Sequence, residues 1–289
     1  MARGLSREDK QGLTLIGLPF GYALIMLAAP LAMVVTFSFW TQDYLDINRT
    51  LTLENYRAVF SQPIYQTLLW RSLRISLIVT AVTVVLAFPI AYYLSFHVKK
   101  NKALWLFLIT VPFWTSYLLR VFLWKVILGY NGVLNTALLK TGIIEEPLTF
   151  ILYNANAVVL TLAHAWAPFA ILPIFVALEK IDRSLLEAAE DLGDGPFRRF
   201  RRVTFPLAIP GVVAATLIVL IPTVGDFITP KLVGGTDGLM VANMIQIQFG
   251  KANNAPLGAA LAVTSMVVVA IISVGIYLVG RKIGGRVAR

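Results

Sequence analysis

ANAVVLTLAHAWAPFAILPIFVAL, residues 155–178, carries one ionisable side chain, His164, and is otherwise almost wholly apolar. A helix of about 20 apolar residues covers the ~30 Å hydrocarbon core of a bilayer. The stretch has none of the period-2 alternation of a barrel strand, so a helix is how it crosses a membrane. Working outward, five more stretches read alike: Leu13–Trp40, Ile75–Phe96, Ala103–Leu119, Phe205–Gly225 and Gly258–Gly280. The first is too long for the apolar part of a secretory signal and has no clear small-residue cleavage site after it. It reads as a retained helix, bent near Pro19 or Pro30. The predicted fold class is all-α: a polytopic membrane protein with six transmembrane helices.

Composition agrees. The chain has 289 residues, 58% apolar and 14% charged, with a mean hydropathy of +0.76, whereas a soluble domain is about 25% charged. So much apolar surface does not fit inside one globular core, which excludes a soluble enzyme, a disordered tail and a secreted disulfide scaffold. With no cysteine there is no disulfide, thiol nucleophile, iron–sulfur cluster or Cys-based zinc site. The two histidines, His97 and His164, lie too far apart in sequence for a local ligand pair.

The net charge of +10 matters through its distribution. The N-terminus (Arg3, Arg7, Lys10), the second connection (Lys99, Lys100, Lys102), the fourth (six between Lys180 and Arg202) and the C-terminus (Arg281, Lys282, Arg286, Arg289) hold sixteen of the 25 basic residues. The longer alternate connections hold nine. The positive-inside rule then places both termini in the cytoplasm and explains the basic balance without nucleic acid. On the outer side, Asn131–Gly142 spaces Val133, Leu134, Ala137 and Leu138 as a short interfacial helix would. The fifth connection, Asp226–Leu257, mixes Pro230, Gly234-Gly235 and Pro256 with an apolar patch at Met240–Phe249, which suits a cavity wall.

The one sizeable cytoplasmic connection is Glu179–Thr204. Ser184 and Glu187 are spaced as a capping box, and Leu185, Ala188, Ala189 and Leu192 fall on one face of the helix that follows. Gly193 stands where a left-handed stop is needed, and Gly195-Pro196 prevents continuation. The basic run Phe197–Arg202 leads to the next span at Phe205-Pro206. Its arginines suit anionic headgroups equally well, but the shallow alanine face suits a partner's groove.

Glu187-Ala188-Ala189, three residues, Gly193, nine residues, then Val203-Thr204-Phe205-Pro206 closely resembles the EAA signature of ABC importer permeases. That family ends the signature in Ile-x-Leu-Pro, so Val203 and Phe205 depart from it conservatively. The resemblance implies a type I importer permease fold and a coupling helix that docks on a cytoplasmic ATPase, with Ser184, Glu187, Ala188, Ala189, Gly193 and Pro206 as its coupling residues. Val111-Pro112-Phe113-Trp114-Thr115-Ser116-Tyr117-Leu118-Leu119-Arg120 with Gly132-Val133-Leu134-Asn135, and Pro222–Phe227 with Leu232–Gly235, are similar to spermidine/putrescine permeases. Relatives importing opines, other organic cations or phosphonates share much of this pattern. The resemblance spans about Leu68 to Gly280. It divides the chain into residues 1–66 (N-terminus, first helix and first outer loop), a five-helix core at 67–280 containing the coupling loop 179–204, and a basic tail at 281–289. It also implies an ATPase dimer carrying ATP and Mg, a second permease, an extracytoplasmic binding protein, surrounding membrane lipid, and a place in a bacterial inner membrane. No cofactor is expected on this chain.

Ionisable groups near span ends usually face a cavity or a partner, because at a helix centre they cost roughly 2.5–3.5 kcal/mol. Asp226, directly after Gly225, suits a cationic substrate, and Phe227 beside it offers a cation–π face of ~0.5–2 kcal/mol. Capping a helix or pairing with Lys231 explains Asp226 as well. Trp114, Tyr117 and Trp124 fit either a gate or an interfacial aromatic belt. Arg120 is expected to pair with a carboxylate such as Glu145 or Glu146, or one on a partner subunit, and His164 to be a hydrogen-bonded packing residue. The sole Gly-Lys pair, Gly250-Lys251, lacks the earlier glycine of a phosphate-binding loop. An ion-coupled transporter is disfavoured for want of repeats and an intramembrane ion site, and a membrane enzyme for want of a nucleophile–base group.

Overall fold

The structure, a computed structural model, describes residues 7–44 and 46–284. Among these, six helical segments are long and apolar enough to cross a membrane: Leu15–Ser38, Pro63–Phe96, Tyr117–Lys140, Ala155–Glu179, Pro196–Val224 and Ala255–Gly284. A small hairpin, β1 (Thr41–Asp43) with β2 (Asp46–Asn48), and a short helix α2 (Glu54–Ser61) separate α1 (Arg7–Ser38) from α3 (Pro63–Phe96). Pro63 starts α3 in the first turn, where its missing N–H costs nothing. The helix then runs through Arg71 and Arg74, which interrupt the apolar pattern but not the backbone, so it begins well before the Ile75 expected from hydropathy.

The third crossing departs from expectation. The sequence places a span at Ala103–Leu119; the structure instead has α4 (Lys102–Thr110), a 3₁₀ turn (Val111–Trp114) and a break, after which α5 (Tyr117–Leu128) begins. Pro112 has no N–H to continue the ladder, and Thr115 and Ser116 adopt extended ψ angles of 151° and 133°. The Thr115 hydroxyl donates back to the Pro112 carbonyl at 2.7 Å. Apolar periodicity reports that a segment is in the membrane, but not that its hydrogen-bond ladder is cut. Beyond α5, α6 (Val133–Lys140) is the short helix expected within Asn131–Gly142.

Next come α7 (Ala155–Glu179), α8 (Arg183–Asp191), α9 (Pro196–Arg199), a π-turn at Phe200–Thr204, and α10 (Phe205–Val224). Asn154 opens α7 by accepting from the backbone N–H groups of Asn156 and Ala157. The fifth connection is broken, as expected, into α11 (Ile228–Val233) and α12 (Val241–Phe249), and α13 (Ala255–Gly284) closes the described chain.

The main core lies where α3, α7 and α10 pack together, with Val79, Leu162, Ile174 and Val219 fully enclosed. Small residues set the spacing: a Cβ on Gly211 of α10 would sit 2.5 Å from the Ala177 Cβ and 2.6 Å from the Pro173 carbonyl oxygen of α7. Close backbone approach of this kind supplies packing where lipid offers no hydrophobic drive between helices. A second cluster joins Val59, Leu68, Val241 and Leu261 of α2, α3, α12 and α13. Helix α1 lies against α13 and leaves residues such as Phe20, Leu27 and Met33 exposed, the surface expected of a lipid-facing helix.

Candidate functional site

Two places gather polar groups that an apolar bundle must account for, one at each end of α10. At its C-terminal end Asp226 is 9% exposed. One carboxylate oxygen accepts from the backbone N–H groups of Ile228 (2.9 Å) and Thr229 (3.4 Å), opening α11. The other accepts the Tyr117 hydroxyl at 2.5 Å. The hydroxyls of Tyr117 and Thr229 lie 2.7 Å apart. Asn243 of α12 donates to the Phe227 carbonyl at 2.8 Å while accepting from the Met240 N–H at 3.0 Å. A break in one span thus delivers Tyr117, and the end of another delivers Asp226, to one buried point. Lys231 is exposed and makes no ion pair with Asp226.

Of the four residues that sequence reasoning placed on a substrate path, Tyr117 and Asp226 come together. Phe227 adjoins them but contributes its carbonyl rather than its ring. Trp114 does not join them: it is 77% exposed and packs edge-on against Phe107. Thr229 and Asn243 were missed, and their only signal was a polar side chain inside an apolar stretch.

Arg120, one turn beyond Tyr117, is 6% exposed and pairs with no carboxylate among the described residues, neither Glu145 nor Glu146. Its guanidinium donates instead to the carbonyls of Phe113 (3.2 Å), Thr115 (3.3 Å) and Ala165 (3.4 Å), and lies over the Phe113 ring. The broken helix leaves the Phe113 and Thr115 carbonyls outside a regular ladder and the arginine supplies their donors, while its contact with Ala165 ties it to α7. His164 accepts from the Trp124 indole N–H at 3.1 Å, a hydrogen-bonded packing contact as expected.

At the other end of α10 sits α8. Its N-cap is Asp182, whose side chain accepts from the Ser184 N–H at 3.0 Å. This corrects the expected capping box: with Asp182 at the cap, Ser184 and Glu187 no longer hold its two positions. That N–H, followed by the Ser184 side chain, holds the Asp182 carboxyl below the usual carboxylate value. The C-terminal stop is as the sequence requires. Gly193 has φ +86°, the Asp194 N–H donates to the Ala189 carbonyl at 3.0 Å, and the Gly193 N–H to that of Glu190 at 2.9 Å, a Schellman closure. Ala189 is buried against the bundle, whereas Leu185, Ala188 and Leu192 are exposed together, Leu192 at 88%. Glu187 borders a cavity of about 270 Å³ with Tyr92, His97 and Phe200 behind the helix.

Between α8 and α10, Arg199 pairs with Glu190, and Arg202 with Asp194 at 3.0 Å. Pro206 explains the π-turn before it, since it lacks an N–H and its ring would crowd the carbonyl four residues back. Lys102 at the start of α4 pairs with Glu179 at the end of α7 (2.7 Å) and donates to the Ser95 carbonyl near the end of α3 (2.9 Å). Arg183 also reaches that carbonyl, at 3.4 Å. Sequence reasoning missed this junction, although opposite charges at the ends of two spans were visible. It brings the ends of α3 and α7 and the starts of α4 and α8 to one side of the bundle.

Membrane-length helices around a buried polar point, with a small exposed-faced helix at one end, are the architecture of a transport permease. Residues 70–284 match the model of the binding-protein-dependent transport system inner membrane component family, and the chain belongs to that family as a multi-pass inner-membrane protein. It is 37% identical over 273 residues to the spermidine/putrescine transport system permease protein PotB of Haemophilus influenzae, covering 94% of this chain and 95% of that one. It is 36% identical over 248 residues to the inner membrane ABC transporter permease protein YdcU of Escherichia coli, covering 81% and 78%. A chain of a bacterial alginate ABC transporter, solved with an alginate pentasaccharide-bound periplasmic protein, superposes with a TM-score of 0.74 over 96% of both chains. At 15% identity that likeness concerns the fold alone.

Proposed function

We propose that this chain is one of two permease subunits of an importer for polyamines of the spermidine/putrescine class, with both termini in the cytoplasm. ATP hydrolysis is supplied by a separate ATPase dimer, and substrate is delivered by an extracytoplasmic binding protein. The observation that carries the reading is the buried Asp226 carboxylate, which accepts the Tyr117 hydroxyl and puts a negative charge beside an aromatic side chain, a combination that suits an ammonium group. The similarity to a spermidine/putrescine permease over nearly the whole chain supports it.

In this reading the Leu185–Ala188–Leu192 face of α8 docks in a groove of the ATPase. Nucleotide-driven closure of the ATPase pair moves α8, and the spans around it exchange an inward-open for an outward-open arrangement.

The test is ATP-dependent uptake of labelled spermidine and putrescine into proteoliposomes holding the full transporter, with Gly193→Asp as control. No neighbouring atom lies within 4 Å of the Gly193 Cβ position, so the variant acts through its left-handed backbone and at the docking surface rather than by disrupting the bundle. Saturable uptake that the variant abolishes is the expected result. ATP-dependent transport of other solutes but of neither polyamine refutes the substrate; undiminished uptake in the variant refutes the coupling role of α8.

A further inference from the structure

At the end of the bundle away from α8, a groove of about 520 Å³ lies between α3 and α7. Its α3 wall is one stripe: Arg71, Arg74, Ile75, Ile78 and Val82, spaced so that all face the same way. The eleven steps from Arg71 to Val82 rise about 16 Å, close to the ~15 Å depth of one leaflet's hydrocarbon. The charged end is at the top of that run and the branched aliphatics follow it into the membrane. Val159 and Leu160 of α7 form the opposite apolar wall, with Asn156 level with the arginines. The exposed indole of Trp70 sits beside Arg71, at the depth where aromatic residues gather.

The charges at the mouth are not used up by the protein. Arg71 donates to the Thr236 carbonyl at 2.7 Å. Arg74 is exposed and has no hydrogen bond or ion pair among the described residues. Asp237 also borders the groove but is in no ion pair with either arginine, so two positive charges face one negative. Such a mouth repels a polycation, which separates the groove from the substrate path around Asp226.

We infer that the groove between α3 and α7 is a binding site for an anionic phospholipid, its phosphate held at Arg71 and Arg74 and one acyl chain lying along Ile78, Val82 and Leu160. The headgroup supplies the counter-charge that the described residues around the groove do not, and the tail covers side chains that are otherwise half exposed. The length of the apolar stripe favours a lipid over an acidic protein surface, which needs only the arginines.

The test uses the purified full chain in neutral detergent, with phosphatidylglycerol or phosphatidylcholine of matched acyl chains added and adducts counted by native mass spectrometry. Retention of phosphatidylglycerol over phosphatidylcholine is expected. Arg74→Gln should reduce it about fivefold, the effect expected of one basic residue at an anionic headgroup. Because Arg74 holds no other group, this variant should elute as the wild type does. Ile78→Trp, which fills the groove and keeps both arginines, should lose the adduct as well. Equal retention of the two lipids, or undiminished adducts in both variants, overturns the proposal. So does complete displacement by millimolar inorganic phosphate, which would make this an anion site without a tail. Loss of the lipid on adding the second permease overturns it too, by making the groove a subunit interface.

Discussion

Asp226→Asn removes a charge and keeps a shape, which makes it the sharpest test of the site. The amide oxygen can still accept from the N–H groups of Ile228 and Thr229, so the start of α11 is retained. The amide nitrogen then faces Tyr117, whose hydroxyl turns its proton to Thr229, 2.7 Å away, and accepts instead. Each of these acceptors keeps a donor and the turn into α11 is unchanged, so the variant should insert and purify like the wild type. What is lost is the difference between a charged and a neutral partner for a passing ammonium group. Hydrogen bonds to ionised groups contribute about 1.5–3 kcal/mol and neutral ones about 0.5–1.5 kcal/mol, a difference of about 1–1.5 kcal/mol. If that interaction is made on the rate-limiting path, transport efficiency falls about five- to tenfold. The assay is the initial rate of putrescine uptake by the reconstituted transporter at subsaturating loaded binding protein. An unchanged efficiency in a well-folded Asp226→Asn transporter would refute the reasoning and leave Asp226 as the residue that starts α11.

Two further expectations concern stability and are read as melting temperature in detergent. Gly211→Ala forces a methyl group against the Ala177 side chain and the Pro173 carbonyl; the overpacking should cost about 1–3 kcal/mol. Gly275→Ala, with no atom within 4 Å of the new methyl, should cost nothing, and equal effects of the two would show that the α7–α10 crossing is not tight. Lys102→Glu and Glu179→Lys should each destabilise by about 1 kcal/mol or less, since Glu179 is well exposed, and the double swap should recover most of the loss. A double swap no better than the worse single variant would mean that Lys102 acts only through the Ser95 carbonyl.

Long apolar runs made the spans legible, because lipid selects for composition over a fixed length. Five of the six were found in place, with ends that differ where a helix continues past its apolar section, as α3 does through Arg71 and Arg74. The third was misplaced because composition does not register a cut ladder: Pro112 was visible, but nothing in the sequence said that Thr115 and Ser116 would turn to extended geometry and restart the helix at Tyr117. The stop at Gly193 was legible because only a left-handed residue closes a helix in that way. The start of α8 was misread because Asp182 and Ser184 both offer side-chain acceptors, and sequence spacing favoured the pair with a glutamate three residues on. Asp226 and Tyr117 were each singled out by position, but not as a pair. Pairing across more than a hundred residues depends on which helices lie side by side, and hydropathy carries none of that. Arg120 shows the same limit: a buried charge in a membrane invites a search for a carboxylate, whereas two carbonyls of the broken segment and one of α7 answer it.

The π-turn at Phe200–Thr204 does not interrupt the chain's course, for helix runs from Pro196 to Val224 over 29 residues. That is a rod about 43 Å long, joined to the loop after α8 at one end and to Asp226 at the other. A rotation of about 10° around its middle carries each tip about 4 Å in opposite directions, more than enough to part a 2.5 Å contact between Tyr117 and Asp226. Motion at Gly193 therefore has a direct mechanical route to the carboxylate on the far side of the membrane, and it needs no relay of side chains in between.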